Sequence, residues 1–382
     1  MRTKREIIYV AGFLVSIPIA LTAYINSSFL EAYSSASFVG ILYAIASIAT
    51  ILVLLQMPKI LTWGGIRRAT TIFSLLTFTA LIFLASGKNA FIVYSAFILF
   101  FTSSSLLFAC LDIFIEDLSK RSSIGKFRGW YLMILNGAWV VAQMISGSII
   151  AKSSFTGIYI FSAGFMFLVY VIFSIFLHDY QDPIYKKVPI KKTARYFLEN
   201  KNFSKIYFLN FILKFFFTWM IIYTPIYLHE YIGFTWQEMG IIFTIMLLPF
   251  VILDYPLGKI SDKIGEKRLL MLGFSISALF TILIPLVTVK TLWIWAAVLF
   301  FTRVGAATIE VMSESYFFKS VTEENADAIG FFRNTSPLSF IVAPILAILI
   351  LLFVPSFEYI FFVLAAILLT GLFVTLRLRD VK

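Results

Sequence analysis

The chain has 382 residues, of which 60% are hydrophobic and only 13% charged, with 43 Phe and a mean hydropathy of +0.94. So few polar groups cannot cover the surface of a water-soluble protein of this length. The lone cysteine, Cys110, excludes a disulfide within the chain and a zinc cluster, and two distant histidines, His178 and His229, suggest no metal site. No cofactor is expected.

Runs of about 20 mostly apolar residues match the thickness of a bilayer core crossed by helices. The period-2 alternation of a membrane β-barrel does not describe these runs. In chain order, spans are predicted over 7–28, 37–57, 70–87, 91–114, 130–151, 156–178, 205–228, 237–257, 269–288, 292–312, 329–352 and 357–376. The first of these is too long for a signal-peptide core and is read as a membrane helix. The expected fold is therefore an all-α polytopic membrane protein with twelve transmembrane helices in two six-helix bundles.

The net charge of +11 is laid out as topology rather than as a nucleic-acid surface. Alternate connections and the two chain ends hold 26 of the 31 Lys and Arg residues, whereas the other connections hold only Lys88, Lys152 and Lys290. This asymmetry places both termini and the longest loop in the cytoplasm. It also offers contacts to anionic lipid head groups. That longest loop contains Pro and Lys and has a candidate short surface helix over Thr193–Asn200. It divides the chain into an N-terminal bundle (1–178), a linker (179–204) and a C-terminal bundle (205–382).

The two halves repeat one another. LFFT occurs at 99–102 and again at 299–302; PKILTWGGIRR at 58–68 aligns with GKISDKIGEKR at 258–268; IGKFR at 124–128 aligns with IGFFR at 329–333. Three matches in order, at offsets of 200 to 205 and on one side of the membrane, indicate parallel repeats. Transporters built this way hold substrate between the halves near the midplane.

GKISDKIGEKR resembles the loop signature of the major facilitator superfamily, through Gly258, Asp262, Lys263, Gly265, Lys267 and Arg268. The family's stronger copy normally lies between the second and third helices; here that copy has Pro58 and Thr62 in place of the glycine and the aspartate. Arg303 resembles the family's intramembrane arginine, displaced from the fourth span to the tenth. The resemblance implies twelve helices, a small-molecule substrate and a latch in which Asp262 meets the start of the fifth span, near Arg128. The matching contact at the eleventh span, near Arg333, is expected to be weaker.

Charges inside spans are costly and mark functional candidates. Asn210, Lys214 and Thr218 form one stripe on the seventh span, expected to face substrate; the alternative is a lysine satisfied by a neighbouring carboxylate or reaching an interface. Arg303, Glu310 and Glu314 share a face of the tenth span, and Asp112 lies in the fourth. These acidic residues are read as gate ion pairs or substrate ligands, and Asp254 as a relay partner of Arg303. Asp112, Asp254 and Glu310 are the candidate proton carriers; sodium coupling and uncoupled facilitation stay open. Softer cavity candidates are Asn136, Trp139, Gln143 and Asn334. The reading is a secondary transporter of a small solute, not an enzyme. It is expected to be proton-coupled and monomeric, to sit in the plasma membrane and to bind no nucleic acid. The alternatives are a membrane-embedded enzyme or a transporter-like sensor without turnover.

Overall fold

The computed structural model describes residues 2–118, 124–176, 199–320 and 332–379. The chain divides into two compact units, Met1–Lys187 and Val188–Lys382. The expected surface helix at Thr193–Asn200 lies mostly outside the described residues, as do the side chains of Arg128, Asp262 and Lys263.

The first unit contains α1 (Arg2–Ala23), a short α2 (Asn26–Glu31), α3 (Ala36–Leu54), α4 (Met57–Ser86), α5 (Ala90–Leu118) and α6 (Ile124–Phe176). The second contains α7 (Lys201–Ile226), continued by a π-helical turn over Tyr227–Tyr231, then α8 (Trp236–Ile264), α9 (Glu266–Leu283), α10 (Leu292–Ser320), α11 (Thr335–Leu351) and α12 (Tyr359–Leu376). Among the described residues, ten helices are long and apolar enough to cross a membrane, and α11 is a shorter apolar helix. One of the ten, within α6, runs for 43 residues and breaks at Ser154 (φ 59°, ψ −169°), so it makes two passes. The total is the twelve crossings expected from the hydropathy pattern.

Local signals set the helix ends. Ser35 caps α3 by accepting from the Phe38 N–H at 3.3 Å. Thr235 and Glu238 form a reciprocal capping box at the start of α8. Gly87 ends α4 in the left-handed conformation (φ 55°), and the Tyr33 hydroxyl donates to its carbonyl at 2.9 Å.

Two expectations need correction. The charged stretches 58–68 and 258–268 are not loops. Residues 57–64 are already helical, and α8 continues to Ile264. At 29 residues, α8 is about 43 Å long, well beyond a hydrocarbon core of about 30 Å. Its charged end therefore stays helical outside the apolar layer, where hydropathy alone reads a connection. Gly258 accordingly lies within α8 and makes no turn; a Cβ there would meet nothing within 4 Å. The turn belongs to Gly265 (φ 84°, ψ 152°), and Gly65 has nearly the same conformation (φ 71°, ψ 165°). This region of backbone space is essentially reserved for glycine. The seventh span also begins four residues before its expected start, at Lys201.

The repeat extends to packing. In the first unit α1 packs on α6, α3 on α5, and α4 on both α5 and α6. In the second, α7 packs on α11, α8 on α10, and α9 on both α10 and α12. With α6 counted as two passes, these are the same pairs. The tightest contact is between α9 and α10, where a Cβ on Gly305 would lie 2.5 Å from the Gly273 carbonyl oxygen. Only glycine at both positions permits that approach.

Candidate functional site

Asn200 accepts backbone N–H bonds from Asn202 and Phe203 at 3.1 and 3.3 Å, which fixes the start of α7. Asn210, Lys214 and Thr218 then recur at intervals of four and share one side of the helix. Their environments differ. Asn210 and Thr218 are buried. The Asn210 amide donates to Thr335 Oγ1 at 2.8 Å, and the Thr218 and Ser339 hydroxyls share a bond of 2.7 Å. Both bonds join α7 to α11, as polar side chains between membrane helices commonly do.

Lys214 turns to α10. Its Nζ donates to Glu310 Oε1 at 2.6 Å and lies 5.2 Å from the Phe217 ring centroid. The side chains keep 19% and 31% of their accessible surface. Of the alternatives left open for Lys214 in the sequence, the geometry includes a carboxylate partner, and the lysine is still reachable from outside the unit. Tyr207, Phe211, Phe217 and Ile221 recur on the same half-buried side of α7, so the ion pair stands beside an aromatic wall.

Arg303 lies two turns from Glu310 on α10 and is 1% exposed. Its guanidinium carbon is 4.9 Å from the Phe216 ring and 5.8 Å from the Phe217 ring. Phe217 therefore contacts two cations, an arrangement favoured by the negative face of the ring. Glu314, one turn beyond Glu310, receives both terminal nitrogens of Arg333 at 2.9 and 3.3 Å, the fork geometry that strengthens such pairs.

Sequence reading missed one ionic cluster. Glu266 follows Gly265 directly and is 1% exposed. It accepts from Lys319 Nζ at 2.7 Å and from Ser315 Oγ at 3.1 Å. The repeat carries the signal for its burial: the residue 200 positions earlier is Ile66, also fully buried. The Tyr316 hydroxyl also donates to the Arg379 carbonyl at 2.7 Å, beyond α12. The last three turns of α10 thus contact α7, α9, the residues leading into α11 and the segment after α12.

At an offset of 200, the first unit carries no charge at the positions matching Lys214, Glu266, Arg303, Glu310 and Glu314. Ser103 stands where Arg303 stands in the second and bonds to Thr77 Oγ1 at 2.8 Å. Gln143 is buried, and its amide donates to the Ala20 carbonyl of α1. Trp139 meets Tyr24 edge to face at 6.5 Å, and Asn136 is half-buried beside it on α6. Asp112 is exposed on α5, Asp254 half-buried on α8, and Asn334 exposed at the start of α11. Lys267 is half-buried and Arg268 exposed. The structure therefore joins Lys214 to Glu310 and Glu314 to Arg333; Asp112 stands on α5 and Asp254 on α8.

The model of the Major Facilitator Superfamily matches residues 8–241 and 206–382. No curated protein matches the chain. Among solved structures, the chain is similar to a mutant of the nucleoside transporter NupG (TM-score 0.78, 12% identity, 98% of this chain and 99% of that one). It is also similar to a POT family transporter in complex with a thioalcohol-conjugated peptide (TM-score 0.78, 13% identity, 98% and 94%). A third is the peptide transporter POT in complex with sulfate (TM-score 0.74, 14% identity, 98% and 93%). At these identities the likeness carries the fold. With family matches that together run from residue 8 to residue 382, the chain belongs to the Major Facilitator Superfamily.

Proposed function

We propose that this protein moves a small solute across the plasma membrane by alternating access of its two repeats, with transport coupled to protons. The observation that carries the reading is the partly exposed Lys214–Glu310 pair on α7 and α10. An ion pair within membrane helices is costly to build and to keep. One that is sealed in a core serves packing; one that keeps a fifth to a third of its surface is available to a ligand and to a proton.

Both termini face the cytoplasm in this reading, because the Lys- and Arg-rich ends lie on that side. The same basic residues meet anionic lipid head groups. The protein works as a monomer, since each chain contains both repeats. Nucleoside and peptide transport by the similar structures supports a small polar solute in general terms, and the substrate class rests on this chain's own residues.

The test is a screen of thermal stability in mild detergent against carboxylates, amino acids, sugars, nucleosides and lipophilic cations, at two pH values. A ligand at 100 times its dissociation constant adds about 2.7 kcal/mol. A stabilising ligand that is then taken up by proteoliposomes in response to a pH gradient supports the reading. A chain that moves none of the stabilising ligands refutes it.

A further inference from the structure

The open atoms of the Lys214–Glu310 pair define a substrate head group. Among the described residues, Lys214 Nζ donates only to Glu310 Oε1, which leaves two of its three N–H donors without an acceptor. Glu310 Oε2 accepts no bond, and Glu310 is the more exposed partner. The carboxylate therefore presents more uncovered surface than the ammonium. The charged groups on the surrounding elements are Lys214 on α7, Asp254 on α8, Arg303 and Glu314 on α10, and Arg333 before α11. Glu314 is engaged by Arg333, and Arg303 lies against Phe216 and Phe217.

We propose that the substrate is a small monocarboxylate with an apolar or aromatic body, bound together with one proton. The inference rests on the transporter reading above. A proton from water adds to Glu310 Oε2 and neutralises that side chain, and Lys214 loses its anionic partner. The substrate carboxylate then accepts the N–H bonds of Lys214, and its apolar body lies against Phe217 and Phe211. Total charge is conserved, because one proton and one anion enter together. That balance matters within a membrane, where net charge is expensive. A cationic substrate would leave Lys214 and the incoming charge with only Glu310 between them. A neutral one would leave the pair intact and recruit no proton.

Three probes of one shape test this: benzoate, benzylamine and benzyl alcohol, titrated calorimetrically into the detergent-solubilised full chain. Repeating the benzoate titration in buffers of different ionisation enthalpy counts the protons taken up. The expected result is that benzoate alone binds, with close to one proton taken up per molecule. Its affinity should fall as pH rises, by up to about tenfold per pH unit, the slope required when one proton binds with the ligand. In Glu310→Gln, which is neutral at every pH, binding should persist with no proton uptake and no pH slope. Lys214→Met should abolish binding, and Lys214→Arg should keep it. Preference for benzylamine or benzyl alcohol, absence of benzoate binding, or benzoate binding without proton uptake overturns the proposal. The wild-type titration decides this even if a variant fails to fold. Uptake of some other solute by proteoliposomes would show that only the substrate class had failed; absence of any uptake would remove the transporter reading itself.

Discussion

Lys214→Met is the sharpest perturbation of the second unit. It removes the ammonium and keeps most of the aliphatic stem, so Glu310 loses its 2.6 Å partner while local packing changes little. Fully exposed pairs contribute about 0.2–1 kcal/mol, and breaking a buried pair costs about 3–5 kcal/mol because a charge is left uncompensated. Side-chain exposures of 19% and 31% place this pair between those limits, at about 2 kcal/mol. For a unit of this size the loss corresponds to a fall in Tm of roughly 4–8 °C. The assay is thermal unfolding in mild detergent followed by tryptophan fluorescence, for wild type, Lys214→Met, Glu310→Gln and the double variant. The double variant should recover at least 1 kcal/mol relative to the sum of the singles, the signature of a direct interaction in a mutant cycle. Strictly additive losses, or single-variant Tm values within 1 °C of wild type, would refute the pairing.

Other outcomes follow from particular positions. Gly65→Ala and Gly265→Ala should each lose about 1–3 kcal/mol, since both backbones occupy a glycine-only region; a cost at only one of them would contradict their equivalence, as read from unfolding of the two variants. Ser154→Gly should raise Tm, because Ser154 holds φ 59° at the break in α6; an unchanged or lower Tm would show that the hydroxyl matters more than the strain. Gly305→Ala should cost about 1–3 kcal/mol through overpacking against Gly273 and Ser277, whereas Gly258→Ala, with open space around its Cβ, should be neutral or stabilising. Glu266→Ile should be tolerated within about 1 kcal/mol, because Ile occupies the repeat position and the Lys319 side chain left behind is 42% exposed and can turn to solvent. Glu266→Lys should unfold the protein at far lower temperature, and equal Tm values for the two variants would dismiss the Glu266–Lys319 contact.

The crossings were legible because a bilayer demands about 20 apolar residues per helix and nothing else in this chain supplies them. The repeat was legible because LFFT, the 58–68 and 258–268 stretches, and IGKFR and IGFFR recur in order, and the structure gives Gly65 and Gly265 nearly the same backbone conformation. The ends of the helices were less so. Hydropathy cannot distinguish a charged helix that overruns the apolar layer, such as residues 258–264 of α8, from a loop. The partners of the charged residues were hidden for another reason. Spacing along α7 puts Asn210, Lys214 and Thr218 on one side, but helix packing decides that two of them face α11 and the third faces α10. Glu266 was missed because it stands inside a charged run that reads as solvated. Its burial comes from the turn at Gly265, which drives the first residue of α9 against α10.

The central claim is that solute crosses the membrane with a proton. The most direct measurement is uptake of radiolabelled solute, chosen by the stability screen, into proteoliposomes with the outside buffered one pH unit more acidic than the inside. Accumulation above that in protein-free liposomes, abolished by a protonophore and by Lys214→Met, is the expected result. Equal uptake with and without the gradient, or uptake unaffected by Lys214→Met, would contradict the account.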